Sequence, residues 1–287
     1  MKKLNIALVA ISLMLSACMT SCQKENEITP TTNDGALDRR NPNNCNIRPV
    51  QLFIFNGESN SGGIAPNADA TQNELAPQSQ VQIWNNFTNH FESLHVGVNN
   101  LLGHWALEPW STTGHGWELE LSNIIKNQYP EKKVYLLKTG QGGTTISQWD
   151  TTGNFYHTMC NRIDSAMTEL RRLHRPIQVF VFYSQGINDV LYSHIADTTW
   201  QRMTQEHLNR IKAHTGQDTR IVMCKHMQYY DAYNQSMVNI CNADSTGRTT
   251  YIEMTGATTI SDGLHYDYQG MKLLTDRLFA NIQNYIR

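Results

Sequence analysis

The stretch VQLFIF, Val50 to Phe55, runs directly into Asn56-Gly57-Glu58-Ser59-Asn60-Ser61-Gly62-Gly63. Six residues, five of them apolar, stopped by Asn-Gly read as a short buried strand. A buried strand that ends in a glycine-flanked serine is the start of an α/β sheet with chemistry at its edge. Working outward, strand-like and helix-like segments alternate along the rest of the chain. Lys133 to Leu137 and Ile177 to Tyr183 (IQVFVFY) read as strands, as do Arg220 to Cys224 and Thr250 to Met254, with a short one at Val81 to Trp84. Helical spacing is expected over 117–127, 155–173, 198–214 and 268–286, where apolar residues recur three and four apart. Alternation of this kind predicts about five parallel strands covered on both faces, a three-layer α/β/α sandwich.

The chain has 287 residues, 40% of them hydrophobic and 17% charged, with a formal net charge of -2. That is a globular composition. The near-zero charge supplies no field for nucleic acid or an anionic membrane surface. The start is different. Lys2 and Lys3 precede an apolar run from Leu4 to Leu15, and small residues lead to Cys18 and Cys22. A run this short with a basic start reads as an export signal, not a spanning helix. The cysteine after small residues resembles a bacterial lipobox, with Cys22 preferred over Cys18 as the lipidated residue. The run after Cys22 resembles the acidic tether of surface-exposed Bacteroidetes lipoproteins. Residues 23–46 are polar and poor in large apolar side chains, so they read as a flexible tether. The expected organisation is a signal with lipobox over 1–22, a tether over 23–46 and one enzyme domain over 47–287. Anchoring by lipid would be its only membrane association. Four further cysteines, Cys45, Cys160, Cys224 and Cys241, allow three disulfide pairings, and the spacing selects none. The chain has no CxxC or HxxxH spacing that would suggest a zinc site.

Each expected strand end carries something unusual. After the first comes Ser59 among glycines, and after the Lys133 strand comes Gly140-Gln141-Gly142-Gly143-Thr144. After the Ile177 strand comes Gln185-Gly186-Ile187-Asn188-Asp189, and after the last comes Ser261-Asp262-Gly263-Leu264-His265. Any one of these alone is a turn or a cap. Four together at strand ends point to a site, because open parallel sheets collect their active residues there. The types suit ester chemistry. A serine hydroxyl is a weak nucleophile that needs a base. An imidazole is the usual base for that work, which here would be His265, and Asp262 would hold the other ring nitrogen. Backbone N–H groups at Ser59 and in the Gly142-Gly143 turn, with a side-chain amide, would face the oxyanion.

In this order the four blocks resemble those of the SGNH hydrolase superfamily. Within it, Phe55 to Gly63, Gly142-Gly143-Thr144-Thr145-Ile146-Ser147-Gln148-Trp149 and Ser184-Gln185-Gly186 are similar to carbohydrate esterase family six, the sialate O-acetylesterase-like and acetylxylan esterase-like branch. The resemblance spans about Val50 to Arg287. It implies a flavodoxin-like sheet and a serine esterase that needs no cofactor. Ser59 would be the nucleophile, with Asp262 and His265 completing a triad, and Gly143 (or Gly142) an oxyanion donor. The substrate would be an acetylated carbohydrate. Two departures stand out: the third block lacks the usual Gln-Gly-Glu-x-Asp glutamate but gains Asn188, and Glu58 replaces a commoner Gln. Asn188 is the expected third donor, with Gln185 as the alternative. Glu58 and Gln185 are also candidate substrate contacts. Loop aromatics Trp84, Trp105, Trp110, Trp117, Trp149, Tyr229 and Tyr230 suit stacking on sugar rings, Trp149 above all. The rival readings are a lipid or acyl esterase of the same superfamily and a glycan-binding surface lipoprotein without catalysis.

Overall fold

The computed structural model describes residues 48–101, 112–226 and 230–286. Its main sheet is built from β1 (Val50–Gly57), β2 (Gln78–Asn85), β3 (His90–Leu94), β4 (Val134–Lys138), β5 (Ile177–Ser184), β6 (Arg220–Cys224) and β7 (Thr249–Ile252). The spatial order is β3-β2-β4-β1-β5-β6-β7. All neighbouring pairs are parallel except β2 with β3. Without the β2–β3 hairpin the order of the remaining five strands, counted along the chain, is 2-1-3-4-5, the flavodoxin-like doubly wound arrangement. The hairpin extends that sheet by an antiparallel edge. β3 was missed because its sequence, HFESL, shows little alternation and carries charge.

Period-two alternation explains the layering. Phe53, Phe55, Phe180 and Phe182 face one side, where they meet Trp117, Leu121 and Ile125 of α1 (Trp117–Gln128) and Leu274 and Leu278 of α5 (Tyr268–Ile282). Leu52, Ile54, Val179 and Val181 face the other, against α2 (Asn154–Arg171), α3 (Asp197–Thr215) and α4 (Asp231–Ala243). β1 and β5 pair over their whole lengths, from Val50↔Ile177 to Gly57↔Ser184. Their carboxyl ends therefore finish side by side. The last helix stops at Ile282 and gives way to a tight turn at Gln283–Tyr285, a few residues short of the expected end. Helix α4 was not expected, although Tyr233, Met237 and Ile240 sit at helical spacing and are buried.

Among the described residues, Cys160, Cys224 and Cys241 are free thiols. No described helix is long and apolar enough to cross a membrane. The expected signal, lipobox and tether lie outside the described residues, as does Cys45.

Candidate active site

The site lies where β1, β4 and β5 end. Gly57 is held at φ 127°, and a Cβ there would sit 1.9 Å from the Ser184 carbonyl oxygen. Only glycine permits that approach. It brings the Glu58 N–H to 2.8 Å from the Ser184 oxygen, and Ser59 then opens a single helical turn, Ser59–Gly62. Ser61 Oγ donates to the Glu58 carbonyl at 2.6 Å. At the turn's far end Lys138 Nζ donates to the Gly62 carbonyl at 2.8 Å. Lys138 in turn pairs with Glu118 of α1 at 2.7 Å, both side chains buried. Burial pulls the Lys138 pKa down, opposed by the Glu118 charge. Burial likewise works to raise that of Glu118, but the Lys138 charge and the hydrogen bonds from Lys138, Asn100 and the Gly116 N–H together outweigh it and lower the value.

Ser59, Gly142, Gly143, Asn188 and His265 line one cavity of about 280 Å³, together with Asn60, Ile64, Ile187, Leu191, Tyr192 and Leu264. Gly143 is in the left-handed region at φ 71°, with nothing within 4 Å of where a Cβ would be. Its glycine answers to the backbone angle, not to crowding. The His265 ring Nδ1 lies 2.6 Å from Asp262 Oδ2. Asp262 Oδ1 accepts the N–H groups of Leu264 (2.8 Å) and His265 (3.0 Å). Partial burial works to raise the Asp262 pKa, but the bonds from the His265 ring and these two N–H groups outweigh it and lower the value. An ionised Asp262 accepts a hydrogen bond from Nδ1–H, which keeps that proton on the ring and leaves Nε2 free to act as a base.

Asn60, the residue after Ser59, ties the two distant loops. Its Nδ2 donates to the Leu264 carbonyl at 3.0 Å, and its Oδ1 accepts the Tyr266 N–H at 3.2 Å. The backbone on both sides of His265 is thus bonded to the side chain beside Ser59. The sequence held no local sign of this, because the partners are more than two hundred positions apart.

Three expected contacts need correction. Glu58 is fully buried (0% exposed) behind the nucleophile turn. Its Oε1 accepts the N–H groups of Gly186 (2.8 Å) and Ile187 (2.6 Å), and its Oε2 accepts the Asn188 N–H (3.1 Å) and Asn188 Nδ2. Burial pushes its pKa up to about 7, against the hydrogen bonds from Ile187 and Asn188 and with a contribution from nearby Asp189. Gln185 is equally buried. Its Nε2 donates to the Thr144 carbonyl (2.7 Å) and to Asp189 Oδ2 (3.1 Å), so it braces the glycine turn instead of facing the cavity. Asp189 also accepts the Ile146 N–H and Trp200 Nε1. Trp149 is 2% exposed and packs on Phe155 and His207 in the core, its Nε1 donating to Thr144 Oγ1 at 3.2 Å. Burial on that scale removes it from any sugar contact. Trp84 and Trp117 are core residues too, while Trp105, Trp110 and Tyr229 lie outside the described residues. Tyr230 lines a larger cavity of about 910 Å³ that shares Ile187 and Leu264 with the first. Among the described residues no group of His, Cys, Asp and Glu could hold a metal ion.

Comparison with known proteins places the chain in a family. The chain is 25% identical over 173 residues to a "probable carbohydrate esterase" of Arabidopsis thaliana, a match covering 55% of this chain and 61% of that protein. The solved structure of the Arabidopsis protein superimposes with a TM-score of 0.65 at 20% identity, covering 83% of this chain and 99% of that one. NanS gives 0.60 at 15% identity, covering 83% and 99%. A carbohydrate acetylesterase from Xanthomonas citri gives 0.55 at 11%, covering 82% of this chain and 56% of that one. At such identities these structures speak for the shared fold. The model of the family described as carbohydrate esterase, sialic acid-specific acetylesterase matches residues 49–284, and this chain belongs to that family of carboxylic ester hydrolases.

Proposed function

We propose that the chain is a serine esterase that removes acetyl groups from carbohydrate hydroxyls through an acyl-enzyme on Ser59. The observation that carries this reading is the single cavity shared by Ser59, Gly143, Asn188 and His265, with His265 Nδ1 held by Asp262. In the first half-reaction Ser59 Oγ attacks the ester carbonyl while His265 Nε2 takes its proton. Asp262 stabilises the imidazolium. The oxyanion is met by the N–H groups of Ser59 and Gly143 and by the Asn188 amide, each such donor contributing about 3 kcal/mol. Collapse of the tetrahedral species breaks the bond to the sugar oxygen, which takes the proton from His265. In the second half, water gives a proton to His265, attacks the acyl carbon and releases acetate, and Ser59 recovers its proton.

The catalytic cavity, about 280 Å³, has room for an acetyl group beside Ser59. The larger adjoining cavity, with Tyr230, Asn234, Gln235 and Thr258 on its wall, suits the polar body of a sugar. Export and a lipid anchor on Cys22 or Cys18 rest on residues 1–22 alone. The test of the reaction is acetate release from a panel of acetylated glycans, with Ser59→Ala as the blank and p-nitrophenyl acetate and octanoate as chain-length controls. We expect the wild type to release acetate, to prefer acetyl over octanoyl esters, and to lose turnover in the variant. Full turnover by Ser59→Ala would remove the nucleophile assignment. A preference for octanoate would favour a lipid esterase.

A further inference from the structure

We infer that Glu58 is a positioning residue of the oxyanion site, whose buried carboxylate gathers the 186–188 backbone and aims the Asn188 amide into the catalytic cavity. The inference rests on the reading of Asn188 as an oxyanion donor. It is carried by four convergent hydrogen bonds. Both Glu58 oxygens are occupied, Oε1 by the N–H groups of Gly186 and Ile187 and Oε2 by the N–H and the Nδ2 of Asn188.

Every partner is an N–H donor. A carboxylate only accepts, so it selects the NH2 end of the Asn188 amide and excludes the flipped orientation. An Asn NH2 carries two hydrogens, and with one committed to Glu58 the other remains for an acceptor in the cavity that Asn188 lines. The four donors favour the ionised form against the burial that opposes it, and they partly screen its charge from an oxyanion. Glu58 directly precedes Ser59. The nucleophile and the third donor are therefore set in register by one side chain. A glutamine has the same shape but would turn its own NH2 toward two of the four donors. Such donor–donor contacts force the Asn188 amide or the loop to move.

The experiment is a mutant cycle on p-nitrophenyl acetate with Glu58→Gln, Asn188→Ala and the double variant, reading kcat and KM separately and thermal melting alongside. Removal of one oxyanion donor costs about 100-fold or more in kcat, which sets the expectation for Asn188→Ala. We expect Glu58→Gln to lose about 10- to 100-fold in kcat with KM within about twofold, since the defect is in transition-state stabilisation. The double variant should be no slower than Asn188→Ala alone, because both changes remove the same interaction. Losses that multiply in the double variant would overturn the inference, as would a Glu58→Gln protein that melts lower yet keeps its kcat. Should Glu58→Gln not fold, Glu58→Asp retains the charge with a shorter reach, and the same non-multiplying pattern with Asn188→Ala is required. Full kcat in Asn188→Ala would instead sink the donor assignment itself, whatever Glu58→Gln does.

Discussion

The two sides of the catalytic cavity are held in different ways. On the side of the oxyanion donors, Glu58, Gln185 and Asp189 are all fully buried and bonded into the loops they organise. On the other side, Asp262 and His265 stand at the rim, with side chains 37% and 24% exposed. Their loop carries its own internal bonds and is tied to the nucleophile turn through Asn60. The donor wall is thus over-determined, whereas the base is located by few interactions. That division suits the chemistry. Oxyanion stabilisation depends on dipoles fixed before the reaction begins, while a general base has to move a proton and recover it.

If this contrast is right, a single change on the rim side, outside the reacting residues, costs as much catalysis as Glu58→Gln does on the donor wall. Asn60→Ala removes both ties to the His265 loop. A misplacement of about 1 Å can cost about 100-fold in rate, so kcat should fall about 10- to 100-fold, and the buried Tyr266 N–H left without its partner should cost about 1–3 kcal/mol of stability. Equal kcat in Asn60→Ala and wild type would show that the loop holds itself. At the other end of the scale is Trp149, buried within the donor side. Trp149→Phe should lower stability by about 1–3 kcal/mol through lost packing and the lost bond to Thr144. KM for any acetylated sugar should stay within about twofold. A large rise in KM without loss of stability would return Trp149 to the substrate.

Much of this was legible in the sequence, and the reasons are local. Strands such as Val50–Gly57 and Ile177–Ser184 announce themselves because both faces are buried, which leaves continuous apolar runs. The four blocks at strand ends were visible because catalysis needs particular side chains beside permissive glycines. The misassigned residues share another property. Glu58, Gln185 and Trp149 are polar or aromatic residues next to the motif positions, and in sequence a residue facing the cavity looks the same as one facing inward. Their direction is fixed by partners far along the chain, such as Gly186 for Glu58 and Thr144 for Gln185. The Asn60 ties and the Lys138–Glu118 pair under the nucleophile turn depend on distant partners in the same way.

The central claim is that the Ser59 hydroxyl is the nucleophile. Stoichiometric labelling by a fluorophosphonate, followed by peptide mass mapping and residual esterase activity, tests it most directly. The account predicts one label per chain on the peptide bearing Ser59, with activity lost in step with labelling. A fully labelled Ser59 in a protein that still hydrolyses acetyl esters, or inactivation with the label on another residue, would contradict it.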